Sequence, residues 1–516
     1  MPVPGPLEPK SGPIASQPAG ATPVPAAGVH DDGALALDPA TVLTGRLEQL
    51  RDREYLKRVL QRALDDLSPR PVSVEDFEIS YCKVKPWRDV SLAMSVTGRD
   101  GGSGDLSRQV VSGRLWPTLE DARAHLHEEL AGSAAAPGGA SSDARRARTS
   151  AVLVPELAVV LRLFPSDSVL TGLAPATDRA EMTSLLSAHL PECRDEGWRI
   201  RDLEFEPVHY KPERLCTLRY TLLLEHPKHA DARRLHLFGK VYRDDRWQQS
   251  YDVLATTWNA SVASGGLWRA ARPIAVVGPW RLVVQSAVAG DRFRQALAEL
   301  TRDDATPEQL GQVERHLEAV ARAVRSMQLA PVRSGPRLDL AALLTAQQRN
   351  LDYLRGIHGA VAQELSRLRS AIERVAATTP ASELVLAHGD FAHGNVMLDG
   401  DQVGIIDFDR VGQAEPAYDV AYFLTHLTSF ILRHPRRAAH TGPLCEHFRR
   451  TYLELAPDVS ARRLALYEAL DLSAYVLRNF RKQSHQARWL KWAAGQIESA
   501  WERLDYADTE GNGAVR

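Results

Sequence analysis

At 516 residues the chain is longer than a single hydrophobic core usually supports, so two or three domains are expected. Its 63 basic and 65 acidic residues leave a formal net charge of −2, which supplies no global attraction to nucleic acid or to an anionic membrane, so neither is expected as a partner. Cys82, Cys193, Cys216 and Cys445 stand far apart without C-x-x-C or Cys/His spacing, no apolar run reaches the length of a membrane span, and no signal-peptide pattern opens the chain, so a reducing cytoplasm is the expected location.

Residues 1–45 are rich in Pro, Ala and Gly, lack apolar periodicity, and read as a disordered arm. Residues 131–150 (AGSAAAPGGASSDARRARTS) read as a flexible linker, and 509–516 as a disordered tail.

Residues 46–130 and 151–290 read as two copies of one unit. VEDFEISYCKVKPWRDVSLAMSV, from Val74, overlies IRDLEFEPVHYKPERLCTLRYTL, from Ile200, at a shift of 126 residues without a gap. The shift places Lys85, Pro86 and Arg88 on Lys211, Pro212 and Arg214, and further on Gly113 and Arg114 on Gly239 and Lys240. Each copy predicts a helix, a hairpin turning at K-P-x-R, a third strand and a second helix. Lys240 stands mid-strand, and only nine of the 63 basic residues are lysine, so its presence there points to a requirement for lysine.

From 291 to 508 the pattern becomes helical. Thr306 is a suitable N-cap, Pro307 suits the first helical position, Gln309 completes a capping box, and Leu310, Val313, Leu317, Val320, Val324 and Met327 form one apolar stripe. Further helices are expected up to Val375, from Tyr418 to Leu432 and from Ala461 to Lys482. They are interrupted by LVLAHGDFAHGNVMLDGDQVGIIDFDR, Leu384 to Arg410, which predicts a short strand, a loop, and a hairpin turning at Asp399-Gly400. Asp390 and Asn395 lie five apart on the loop, and the hairpin carries Asp407 back to the same end of this small sheet. Two carboxylates and an amide oxygen form a set suited to phosphoryl transfer, with hard ligands for Mg²⁺ and a separate base for the attacking hydroxyl. Turn residues without chemistry, or a metal site built on His388 and His393, are the competing explanations.

The motif H-G-D-x4-N followed by I-D-F resembles the catalytic and metal loops of the aminoglycoside phosphotransferase and choline kinase-like family. The resemblance implies an α+β, bilobal protein-kinase-like fold, with a small β-sheet N-lobe (151–290) and a mostly helical C-lobe (291–508), preceded here by an additional N-lobe-like α+β domain (46–130). It implies ATP and Mg²⁺ as cofactors, Asp390 as catalytic base, Asn395 and Asp407 as magnesium ligands, and His388 and Asp419 as structural residues of the site. Lys240 would bind the ATP phosphates, and backbone around Val284 to Ala287 would bind adenine. This chain departs from the family in having no glycine-rich turn over the phosphates: Lys211-Pro212-Glu213-Arg214 stands there, with Lys211 or Arg214 as substitutes. The helix after Lys240 also lacks a glutamate, leaving Asp252 as the nearest acid. The activity implied is transfer of the γ-phosphate of ATP to a hydroxyl of a small molecule: a sugar, amino sugar or aminoglycoside-like acceptor. Phosphorylation of Ser/Thr in a peptide during natural-product maturation, and a catalytically inactive nucleotide-binding regulator, are the alternatives.

Overall fold

A computed structural model describes residues 45–513 apart from 47–48, 51, 69, 86–87, 135–150, 303–304, 357, 435–441 and 484–488. The arm expected over 1–45 falls, but for its last residue, outside the described residues, as do Pro86, Trp87 and most of the expected linker. Two boundaries are corrected: residues 131–134 end the helix Leu119–Ala134, and residues 509–513 belong to the helix Trp489–Gly513.

The N-terminal half folds into two five-stranded antiparallel sheets of one topology. In the first, β1 (Val72–Lys85), β2 (Asp89–Asp100), β3 (Leu106–Leu115), β4 (Ala151–Val154) and β5 (Val159–Leu163) lie in the order β1-β2-β3-β5-β4. In the second, β6 (Arg199–Lys211), β7 (Leu215–His226), β8 (His229–Tyr242), β9 (Pro273–Val277) and β10 (Leu282–Ser286) repeat it as β6-β7-β8-β10-β9. The shift of 126 residues survives in atomic detail. Asp52 and Asp178 both N-cap the opening helices Arg53–Leu67 and Arg179–His189, and one bulge in the first hairpin falls at Val74/Asp76 and again at Ile200/Asp202. Ser91 pairs with Arg114 as Thr217 pairs with Lys240. A left-handed residue, Ala158 or Arg281, turns the chain into β5 or β10, the inner strand of each sheet's last hairpin.

Strand alternation explains why the second sheet holds together. Cys216, Leu218, Tyr220, Leu222 and Leu224 of β7 all point to one buried face, packed with Met182 and Leu186 of the opening helix. The opposite face carries Lys240 and is covered at its end by the helix Arg246–Ala263, through Leu254 against Tyr242 and Val283.

The C-terminal half is mostly helical around one large core. The helix Pro307–Gln328 begins with the Thr306/Gln309 capping box and buries Val313, Leu317, Val320, Val324 and Met327, each worth roughly 1.5–3 kcal/mol in apolar transfer. Gly359–Ala377, Ala417–Arg433 and Ala461–Gln483 match the expected helices, and Pro443–Leu455 and Trp489–Gly513 add to them. Between the halves lie β11 (Asp291–Arg292), β12 (Val385–Ala387), β13 (Val396–Asp399), β14 (Gln402–Ile405) and β15 (Gly412–Ala414). β11, β13 and β14 form one small sheet, and β12 pairs with β15. The order is the one expected from the sequence: two sheets of one topology, then a mostly helical half.

Candidate active site

The loop after β12 is held from beneath by one carboxylate. Asp419, 1 % exposed on the helix Ala417–Arg433, accepts His388 N–H at 2.6 Å and Gly389 N–H at 3.0 Å. Burial raises its pKa, and the two backbone bonds act against that. Gly389 adopts φ +80°, and a Cβ there would stand 2.1 Å from the carbonyl oxygen of Arg410, so the turn into Asp390 admits only glycine.

The same loop is tied to the strand that delivers Asp407. His388 Nδ1 accepts from Asp390 N–H at 3.2 Å, so its Nε2 carries the proton and donates to the Ile406 carbonyl at 2.9 Å. On the other side of that residue, Ile406 N–H donates to the Asn395 carbonyl at 3.0 Å. With both ring nitrogens so engaged, neither is left to join His393 in a metal site. His393 instead lies against His426 and Phe430, its pKa pushed down to about 4 by burial, with Arg294 and Arg433 adding to the effect.

Three groups converge at the end of the hairpin. Asp407 sits in the left-handed region at φ +70°, a conformation a non-glycine residue keeps only where its surroundings enforce it. Lys240, from β8, places Nζ 2.7 Å from Asp407 Oδ1 and 2.8 Å from Asp409 Oδ1. Burial alone would lower the lysine pKa, but Asp409 and Asp407 outweigh it and hold the ammonium charged. Asp407 responds in kind: burial raises its pKa, Lys240 lowers it further, and the net shift is downward. Asn395 Nδ2 donates to the Asp390 carbonyl at 2.9 Å, which commits the amide nitrogen inward and leaves Oδ1 as the available ligand atom. Asn395 Oδ1 with the carboxylates of Asp407 and Asp409 is a hard-oxygen set of the kind that suits Mg²⁺. Among the described residues no three His, Cys, Asp or Glu side chains group to hold a metal by themselves.

Asp390 itself accepts a hydrogen bond from the phenol of Tyr422, one turn along the helix from Asp419. Beyond Tyr422 runs a wall of rings: His426 stacks on it at 4.8 Å, Tyr475 follows His426 at 4.7 Å, and Trp492 follows Tyr475 at 5.6 Å. Arg478 lies over Tyr422 and Tyr475 and pairs with Asp471 at 2.9 Å.

Other expected residues are placed differently. Asp252 is exposed, and the helix Arg246–Ala263 turns Ser250 towards the lysine instead, so the acids that pair with Lys240 are Asp407 and Asp409 of the hairpin end. Val284 is paired in the ladders to Gly239 and to Ala275, so its backbone is committed within the sheet and free for no adenine. Ala287 does lie past the strand, with its N–H donated to the His236 carbonyl at 3.1 Å. In the turn after β6, Lys211 acts on Asp407 through its charge, whereas Arg214 bonds Tyr81 of the first sheet, away from the cleft. Asp409 and Tyr422 were not singled out from sequence. Tyr422 was findable, being three residues past Asp419 on one helical face.

Residues 262–457 match the sequence profile described as the phosphotransferase enzyme family. That span contains Asp390, Asn395, Asp407, Asp409 and Asp419, and Lys240 precedes it. No curated protein matches the chain. Similar solved structures include a choline/ethanolamine kinase family protein from Mesorhizobium loti, 13% identical over 63% of this chain and 94% of that one, TM-score 0.39. A putative aminoglycoside phosphotransferase from Ralstonia eutropha is 13% identical over 63% and 98% of the two chains, TM-score 0.42. A choline kinase from Streptococcus pneumoniae is 10% identical over 59% and 93%, TM-score 0.37.

Proposed function

From the match of residues 262–457 to the phosphotransferase enzyme family, we propose that this small-molecule kinase transfers the γ-phosphoryl group of ATP to the hydroxyl of a neutral or anionic ring-bearing acceptor. The observation that carries the reading is the convergence of Lys240, Asp407 and Asp409 within 2.8 Å contacts, on a hairpin stapled to the loop that bears Asp390. Asp390 accepts the proton of the acceptor hydroxyl. The acceptor oxygen then forms its bond to the γ-phosphorus as the bond to the β,γ-bridging oxygen breaks, and the electron pair leaves with ADP. Tyr422 fixes the orientation of the Asp390 carboxylate, so the base is positioned before substrate arrives. Lys240 exchanges its two carboxylate partners for phosphate oxygens when nucleotide binds. Asn395, Asp407 and Asp409 would hold Mg²⁺, which neutralises phosphate charge during transfer.

What surrounds Asp390 supports this acceptor class. A wall of rings, Tyr422, His426, Tyr475 and Trp492, runs from Asp390, with Arg478 over Tyr422 and Tyr475 beside its partner Asp471, and Arg294 and Arg433 act on the neighbouring His393. This environment favours stacking on a sugar-like ring and disfavours a polycation. ATP consumption with Mg²⁺ should be followed against neutral sugars, sugar acids, amino sugars and aminoglycosides. Turnover confined to the neutral and acidic members is expected; preference for aminoglycosides would refute the acceptor assignment.

A further inference from the structure

The first sheet holds, at its lysine-equivalent position, a side chain that grips the second sheet. Arg114 is 14 % exposed and donates through Nη2 to Asp89 at 2.9 Å and through Nη1 to Glu213 at 2.7 Å. Asp89 is fully buried and takes Lys85 Nζ at 2.9 Å as well. Glu213 is the third residue of the Lys211–Arg214 turn, at φ +60°, and its N–H donates to Asp167 Oδ2 at 2.9 Å. The same Asp167 oxygen accepts the Tyr210 hydroxyl at 2.7 Å. Arg214, next along, bonds Tyr81. Thus the tip of the β6–β7 hairpin is inserted among Ser91, Ser112, Arg114 and Arg162 of the first sheet, in the place where the second sheet's counterpart faces its own cleft.

That hairpin also overhangs the candidate active site. Thr217 of β7 pairs with Lys240, and the charges of Lys211 and Lys240 both act on Asp407. His209, on the same strand as Lys211, feels the charges of Lys211, Asp407 and Lys240. Glu213 keeps a left-handed φ of +60° without being glycine, a conformation held only where the surroundings enforce it, and here Arg114 and Asp167 bond its side chain and its N–H.

We propose that the first sheet is a clamp on this turn: Arg114, Asp89 and Asp167 hold Glu213 so that Lys211 is kept over the nucleotide phosphates, making Arg114 and Glu213 positioning residues for nucleotide binding. The inference rests on the phosphotransferase reading of the cleft. It also gives the first unit a role without a nucleotide of its own, because Glu213 occupies the cation that a phosphate would need there.

The test uses the full chain, Mg·AMP-PNP as probe, calorimetry for affinity, and amide hydrogen exchange over residues 205–218. Glu213→Ala removes the carboxylate but leaves Arg114 paired with Asp89, so the fold is retained; Glu213→Gln keeps a hydrogen-bonding group as the conservative rescue. Expected for Glu213→Ala are faster exchange across the turn and nucleotide affinity weaker by about tenfold, the order of one lost charge-assisted bond that preorganised the site, with Glu213→Gln in between. Faster exchange with unchanged affinity would overturn the inference, and so would unchanged exchange. A wild-type chain that fails to bind Mg·AMP-PNP would sink the phosphotransferase reading and this inference with it. Wild-type binding matched by Glu213→Ala would sink the inference alone.

Discussion

Replacing Asp419 with asparagine probes how the catalytic loop is held. The carboxylate accepts two backbone N–H groups, from His388 at 2.6 Å and Gly389 at 3.0 Å, in a fully buried setting. An amide of the same shape has one oxygen, so one N–H keeps its acceptor and the other meets an NH2 group. A buried donor left without an acceptor costs about 1–3 kcal/mol, and charge-assisted bonds sit at the upper end of that range. Against this, the neutral amide escapes the burial penalty that raises the Asp419 pKa. The net loss should be about 2 kcal/mol, read as a lower urea midpoint at unchanged slope by tryptophan fluorescence. Because the displaced peptide leads directly into Asp390, turnover should fall by more than about tenfold even where the variant is fully folded. A variant within about 0.5 kcal/mol of wild type, with normal turnover, would refute the claim that Asp419 supports the loop.

His393 titrates near 4 in the fold against an ordinary 6.5, so between those values the unfolded chain binds the extra proton and stability falls as the pH is lowered. The whole shift corresponds to a ceiling of about 3 kcal/mol, and His393→Gln should flatten the stability profile between pH 6.5 and 4 in urea titrations; an unchanged profile would reject the assignment. Gly389→Ala forces a Cβ to 2.1 Å from the Arg410 carbonyl at φ +80°, so a loss of at least ~2 kcal/mol and of nearly all turnover is expected by urea titration and ATP-consumption assay, and a well-folded active variant would contradict the turn geometry.

The chemistry was most legible where it is local. H-G-D-x4-N, the Asp399-Gly400 turn and I-D-F lie within one continuous stretch, and short-range turn and strand signals place Asp390, Asn395 and Asp407 at one end of a hairpin. The duplicated unit was legible because a gapless shift preserves strand register, as the matched pairs of Arg114 and Lys240 demonstrate. The helix Pro443–Leu455 also carried a readable signal, with Pro443 at its first position and Leu444, Phe448 and Tyr452 four apart, but it went unassigned. What was not legible depended on long-range packing. Asp409 meets Lys240 across 169 residues of chain, and the Lys211–Arg214 turn is read correctly only once Arg114, 99 residues before Glu213, is seen to hold it. Val284 was misplaced for a related reason, since the strand's two ladder partners are set by sheet order.

The central claim is that Asp390 is the base of a phosphoryl transfer, and Asp390→Asn tests it most directly. With the acceptor found active in the panel, turnover should fall by about a thousandfold while the affinity for Mg·ATP stays within about threefold of wild type, because the amide keeps the side chain's shape and touches none of the nucleotide ligands. Turnover near the wild-type rate would contradict the account.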